Sequence, residues 1–316
     1  MPSNSMSEKP ITEPFVSVII PVYNDTKRLQ ICLAALEQQT YRPDCYEIVV
    51  VDNGSDPDQD VGAIATQCEH VVVIKELAPG SYAARNKGIS VARGDVIAFT
   101  DADCIPSSTW LETGVNYLLE NPDCGLVAGK IEMFFDDPDN VSVVELYDHV
   151  VMGFPQEEFV KRRKAGMTAN IFTRKPVIDK VGIFRAHLKS QGDLEWGARV
   201  FEAGFQQIYA EDVCVAHPTR KSLREICRRT LRLAGGVYDI YVTQESSMWK
   251  RNKRFVRLVA DDLVLRVVGT TKSVLRDERL GGVSTRIKVL GIIYLMKSIS
   301  AYEKIRLRLG GRTQRG

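Results

Sequence analysis

The chain has 316 residues, of which 44% are hydrophobic and 26% charged, values ordinary for a globular protein, and its length accommodates one large α/β domain plus an appendage. Its seven cysteines form no C-x-x-C pair, which argues against a zinc site or a disulfide framework and favours a reducing compartment. The net charge of +2 hides an asymmetry: residues 1–217 hold 19 Lys+Arg against 32 Asp+Glu, whereas residues 218–316 hold 23 against 8.

Residues 1–13 are polar, lack the apolar centre of a signal peptide, and read as a disordered lead-in. Val16 to Val22 is a β-rich run. Leu29, Cys32, Leu33 and Leu36 then recur at helical spacing. Tyr46 to Val51 and Val71 to Ile74 are further strands, with helical patterns near 58–69 and 81–92 between and after them. The run from Asp95 to Thr100 is a buried strand. Near-continuous apolar strands separated by helices predict a mostly parallel sheet covered on both faces, with ligands bound beyond the strands' carboxyl ends. That rule aligns Tyr23-Asn24, Asp52-Asn53-Gly54-Ser55 and Asp101-Ala102-Asp103 on one rim. Asp-Asn-Gly-Ser is also good turn chemistry, and Asp52 alone is open to that simpler reading.

A helix near 108–120 and a strand at Gly125 to Gly129 follow. Residues 132–166 show no period and read as a mobile loop over the site. Met167 to Phe172 is a strand, and Gly192-Asp193-Leu194-Glu195-Trp196 opens a helix running to about Ala203. The boundary falls after residue 220, giving a domain over 14–220 and a basic helical region over 221–316. There Arg224, Arg228 and Arg232 form a stripe, and the excess continues through Lys250-Arg251, Lys253-Arg254, Arg266, Lys288 and Lys297 beside apolar segments. This combination suits an anionic membrane surface, and no nucleic acid is expected as a partner. No stretch has the roughly 18–20 apolar residues that span a bilayer; Val289 to Met296 is too short and belongs to a core or an interface.

Two carboxylates one residue apart at a strand end, Asp101 and Asp103, are costly without a bound cation, and a hard divalent ion with open positions for phosphate oxygens fits them. In this order, the segments Val18 to Asn24, Glu47 to Ser55, Gly80 to Ile89, Ala92 to Asp103 and Gly192 to Trp196 resemble family 2 inverting glycosyltransferases of the GT-A fold, over roughly residues 16–217. Glu303 to Gly311 looks like a tail of some bacterial members. The resemblance implies transfer of a sugar from a nucleoside diphosphate donor, uridine-linked, to a lipid-linked or saccharide hydroxyl, in cell-surface polysaccharide or glycolipid synthesis at the inner face of the cell membrane. It implies Pro21, Tyr23, Asp52, Arg85, Asp101 and Ala102 at the nucleotide sugar, and Asp103 with His217 at Mn²⁺ or Mg²⁺. It further implies Asp193 as general base. Many members have Glu-Asp where this chain has Gly192-Asp193. Glu195 and Trp196 are candidates for acceptor contact, although Trp196 also suits a core. A nucleotidyltransferase is disfavoured by Pro21 to Asp25 after the first strand, and a dehydrogenase by the lack of G-x-G-x-x-G there. A catalytically degenerate scaffold is the non-enzymatic alternative.

Overall fold

The structure is a computed structural model, and it describes residues 13–313 except Gln67 and Arg266. All but one residue of the expected lead-in therefore lies outside the described residues, as does Arg266. The N-terminal half alternates β1 (Val16–Val22), α1 (Thr26–Leu36), β2 (Tyr46–Asp52), α2 (Val61–Ala65), β3 (Val71–Lys75), α3 (Ser81–Val91) and β4 (Val96–Thr100). Then come β5 (Ile105–Pro106), α4 (Trp110–Glu120), β6 (Cys124–Phe134), α5 (Val143–Tyr147), α6 (Gln156–Glu158), β7 (Asn170–Arg174), α7 (Lys175–Val181), α8 (Gly192–Glu202) and β8 (Gln206–Pro218). The C-terminal part is helical: α9 (Leu223–Tyr238), α10 (Met248–Ala260), α11 (Val267–Arg276) and α12 (Val283–Arg308).

One eight-stranded sheet has the order β3-β2-β1-β4-β7-β6-β8-β5. Strands β3, β2, β1 and β4 are parallel neighbours. The antiparallel strand β7 joins β4 to β6, which pairs with β8 in parallel. Alternation decides which face each side chain meets. Val18, Ile20, Ile48 and Val50 pack with Leu29, Leu33 and Trp110 on one side, while Ile19, Val49 and Val51 pack with Ile89, Val177 and Trp196 on the other. Both faces are covered, which explains why these strands read as unbroken apolar runs.

Residues 132–166 are not the structureless loop that the sequence suggests. β6 runs on to Phe134, and α5 starts at a capping box in which Ser142 and Glu145 bond each other's backbone. Wide π-type turns at Asp148–Met152 and Phe159–Arg163 extend α5 and α6. α5 buries Glu145 and Tyr147, α6 only Gln156, and each π turn a single residue, so no period of 3.6 accumulates. The basic run here is solvated, with Lys161 and Arg162 paired to Glu157 and Glu158. Met167 to Ala169 also falls before β7 rather than within it, and serves the site described below.

The C-terminal helices share a core with this segment: Tyr147 packs with Ile226, Val289, Ile293 and Met296. The apolar stretch of α12 is thus spent on an internal seam. No helix among the described residues is long and apolar enough to cross a membrane.

Candidate active site

The carboxyl ends of β1, β2 and β4 open onto a cleft of about 670 Å³, within the range of small-ligand pockets. The three rim segments do converge. Asn24, at φ 53°, exchanges side-chain and backbone hydrogen bonds with Asp56, and its backbone N donates to Ser55 Oγ at 3.0 Å. Asn53 reaches across to the start of α3, donating to the carbonyls of Glu76 and Ala78 and accepting from Gly80 N. Gly80 has φ +130°, a conformation that side chains resist, and this lets the chain enter α3 directly from the rim.

Pro21, Tyr23, Arg85, Asp101, Ala102 and Asp103 line the cleft, together with Asp193 and His217 from the far half of the chain. Asp101 is ion-paired to Arg85, which is buried at 3% exposure over the Tyr82 ring. Asp52 stands just behind the lining: it is buried and its Oδ1 accepts from Ser55 N at 2.9 Å, the turn role that its sequence also allowed.

Asp103 and His217 form the second constellation. His217 Nε2 lies 3.3 Å from Asp103 Oδ2, and His217 Nδ1 lies 2.7 Å from the Pro218 carbonyl. A carbonyl only accepts, so Nδ1 carries a proton, and Nε2 faces the carboxylate either as a donor from the protonated ring or as a lone pair. The edge is stable with positive charge between the two groups, supplied by a ring proton or by a bound cation. Burial pushes the Asp103 carboxyl up, but His217, Arg220 and Arg28 outweigh it and hold the group below its ordinary value. Among the described residues no group of three or more His, Cys, Asp or Glu could hold a metal by itself. A cation here would have two protein donors, with substrate oxygens and water completing its shell, a habit of Mg²⁺ sites.

Asp193 belongs to the first turn of α8. The helix N-cap is Gln191, at φ 64°, so a capping role does not account for Asp193. Its Oδ1 accepts from Tyr82 Oη at 3.1 Å and from Leu194 N at 3.0 Å, which leaves Oδ2 for another partner. Burial raises its pKa above the usual aspartate value, against the opposing pull of Arg85 and Tyr82. Gly192 has a direct cause in the fold. A Cβ there would come within 2.7 Å of the Tyr82 ring, so the Glu found in many members is sterically excluded by Tyr82, whose hydroxyl bonds the aspartate instead. Tyr82→Phe removes a hydrogen bond to the ionised form. It is expected to cut turnover about tenfold and move the acidic limb of the rate profile to higher pH, which a pH–rate series would show.

Two sequence candidates do not reach the cleft. Trp196 is 1% exposed, donates to the Gly182 carbonyl and packs on Phe184 in the core, so the acceptor contact is corrected to a packing role. Glu195 is held by Arg199 and Arg185 on the neighbouring face of α8. Conversely, Arg228 and Arg232, read in the sequence as part of a membrane-facing stripe, line this cleft with Arg220 and Arg229. Helical spacing placed them on one face; only the packing of α9 shows what that face meets. Phe154, from the unpatterned segment, packs on His217 with ring centroids 4.5 Å apart.

Residues 17–184 match the family model described as glycosyl transferase family 2. The chain is 37% identical over 240 residues to glycosyltransferase AglE of Haloferax volcanii, spanning 75% of this chain and 77% of that protein. It is 28% identical over 234 residues to the pre-mycofactocin glycosyltransferase of Mycobacterium tuberculosis, covering 72% of this chain but only 47% of that one. Its fold is similar to that of a mannosyltransferase from Pyrobaculum calidifontis solved with GDP-Man and Mn²⁺, with TM-score 0.62, 17% identity and coverage of 94% and 88%. With the ordered rim motifs, the GT-A-like sheet and a family match across more than half of its length, this chain belongs to glycosyl transferase family 2.

Proposed function

We propose that this glycosyltransferase moves a hexosyl or N-acetylhexosaminyl group, with inversion, from a nucleoside diphosphate sugar to a hydroxyl of a lipid-linked or saccharide acceptor. The observation that carries this reading is the pairing, in one cleft, of a cation-compatible Asp103–His217 edge with a half-buried Asp193 of raised pKa. A divalent cation, Mn²⁺ or Mg²⁺, held by Asp103 and His217, would offset charge on the departing diphosphate. Asp193 Oδ2 takes the proton of the acceptor hydroxyl, and its raised pKa makes it a better base than a free carboxylate. Tyr82 and Leu194 hold the other oxygen and keep the carboxylate aimed. Arg85 orients Asp101 toward the donor ribose. Asp52 supports this pocket from behind through the Ser55 turn.

Uridine-linked donors are the first class to test. Guanosine-linked donors are the second, because the Pyrobaculum enzyme binds GDP-Man. The test is thermal stabilisation and donor hydrolysis across nucleotide sugars, with and without Mn²⁺. At least one diphosphate is expected to raise the melting temperature. Failure of every one would overturn the donor assignment.

We also propose that the protein works at the inner face of the cell membrane, in cell-surface polysaccharide or glycolipid synthesis. Trp249, Val256, Leu263, Val264 and Val268 are all exposed, and Lys250, Lys253 and Arg254 stand beside them. Apolar side chains interleaved with cations match an anionic bilayer surface. Trp249→Glu with Val264→Glu is expected to reduce pelleting with anionic vesicles at least fivefold, with the melting temperature unchanged because neither side chain is buried. Equal pelleting would rule this surface out. Removing everything past residue 245 would be a poorer test, since α12 completes the core around Tyr147.

A further inference from the structure

The cleft wall formed by α9 and the segment after β8 is cationic beyond what the donor chemistry uses. Arg228, Arg229 and Arg232 reach it from α9, and Arg220 from the segment after β8. Asp148, fully buried, balances only part of this charge. Its Oδ1 accepts from Arg229 at 2.9 Å, and its Oδ2 accepts from the Arg220 side chain at 3.2 Å and backbone at 2.9 Å. One carboxylate thus serves two guanidiniums. Burial, and after it the nearby Arg220, push Arg229 down to about 9.

Arg228 and Arg232 make no hydrogen bond or ion pair with the protein among the described residues; Arg232 is half-buried, while Arg228 is exposed at the cleft. Glu225, the acidic neighbour on the same helix, has its carboxylate turned back to the Ser222 backbone in a capping box. A partly desolvated guanidinium with no acceptor is unfavourable unless a ligand provides one. The two arginines are four residues apart on one helix face. α9 is also firmly seated: a Cβ on Gly236 would meet the Ser190 carbonyl oxygen at 2.7 Å, so helix and loop are in direct backbone contact. Two guanidiniums on one anchored helix face, the inner one half-buried, are suited to a phosphate oxyanion.

We propose that Arg228 and Arg232 form a second anion subsite, separate from the donor diphosphate, that holds a phosphate carried by the acceptor. This rests on the glycosyltransferase reading above. It narrows the acceptor to a phosphorylated molecule whose hydroxyl lies within reach of Asp193. The phosphate belongs either to a lipid carrier or to a phosphosaccharide, and the two are separable by probe.

Calorimetry on the full chain, saturated with UDP or GDP and Mn²⁺, would be run with dodecyl phosphate and with glucose 1-phosphate. At least one is expected to bind while the nucleotide stays in place. Arg228→Gln with Arg232→Gln is expected to weaken that binding at least tenfold and to leave nucleotide affinity within twofold. Arg224→Gln, on α9 outside the cleft, is expected to change neither, and unchanged melting temperatures would show that the variants fold. Tighter binding of dodecyl phosphate assigns a lipid carrier, and tighter or equal binding of glucose 1-phosphate assigns a phosphosaccharide. The proposal is overturned if the probes displace the nucleotide, if the double variant loses nucleotide affinity in parallel, or if no probe binds. Loss of nucleotide binding by the wild-type chain would instead sink the underlying functional reading, so the two failures are distinct.

Discussion

Asp193→Asn is expected to lower turnover by about 10²–10⁴, the range for loss of a positioned general base, while the fold stays as stable or becomes more so. The asparagine carbonyl can still accept from Tyr82 Oη and Leu194 N, so the local geometry survives. The sign of the stability effect follows from the pKa. Burial raises the folded-state value above the unfolded value of about 3.9. The folded state therefore holds this proton more tightly than the unfolded chain does, and it loses stability as pH rises from the unfolded value through the folded one. At neutral pH the charged carboxylate is a burden that the amide removes. For activity the same shift places the acidic limb above the pH at which an ordinary aspartate titrates, since the base works only when deprotonated. Steady-state transfer and a melting curve on one preparation check both halves. Turnover within threefold of wild type would exclude Asp193 as the base.

Asp103→Asn is expected to cost at least a hundredfold in turnover, about 3 kcal/mol of transition-state stabilisation. It leaves His217 Nε2 facing a neutral amide, so the anionic one of the two protein donors is lost. The decisive comparison is with chelation. EDTA should lower wild-type turnover by a similar factor and add little to the variant, because both act on one interaction and are not additive. If EDTA leaves the wild type untouched while the substitution still inactivates it, Asp103 acts on the diphosphate or on His217 without a cation. Asp25, whose carboxyl is raised by burial and by Asp103 itself, shares this cleft and is the control for a general loss of acidity.

The rim was readable because its cause is local. A buried parallel strand must be apolar, so the first polar residues after β1, β2 and β4 stand out and lie at the same edge of the sheet. Tyr82 and Gly192 illustrate the opposite case. Each is unremarkable alone, and 110 residues separate them. Their meaning appears only where the tyrosine ring occupies the space that a side chain at 192 would need. Trp196 is a similar lesson: next to Glu195 in the sequence it was a plausible acceptor contact, yet α8 turns it onto Phe184.

Composition and order of motifs alone thus determined the α/β class, the family resemblance and the shared rim of Asp52, Asp101 and Asp103, since periodicity and strand ends depend on near neighbours in the chain; the resemblance added Asp193, which lines the same cleft. Tertiary structure alone decided which way α9 faces. The same basic helix serves a membrane or a cleft according to what packs behind it, and Asp148, Tyr147 and Ser190 come from segments whose sequence shows no period. The Asp-x-Asp strand end is legible in the sequence; the arginines of α9 that line the same cleft become visible only once the chain has folded back over it.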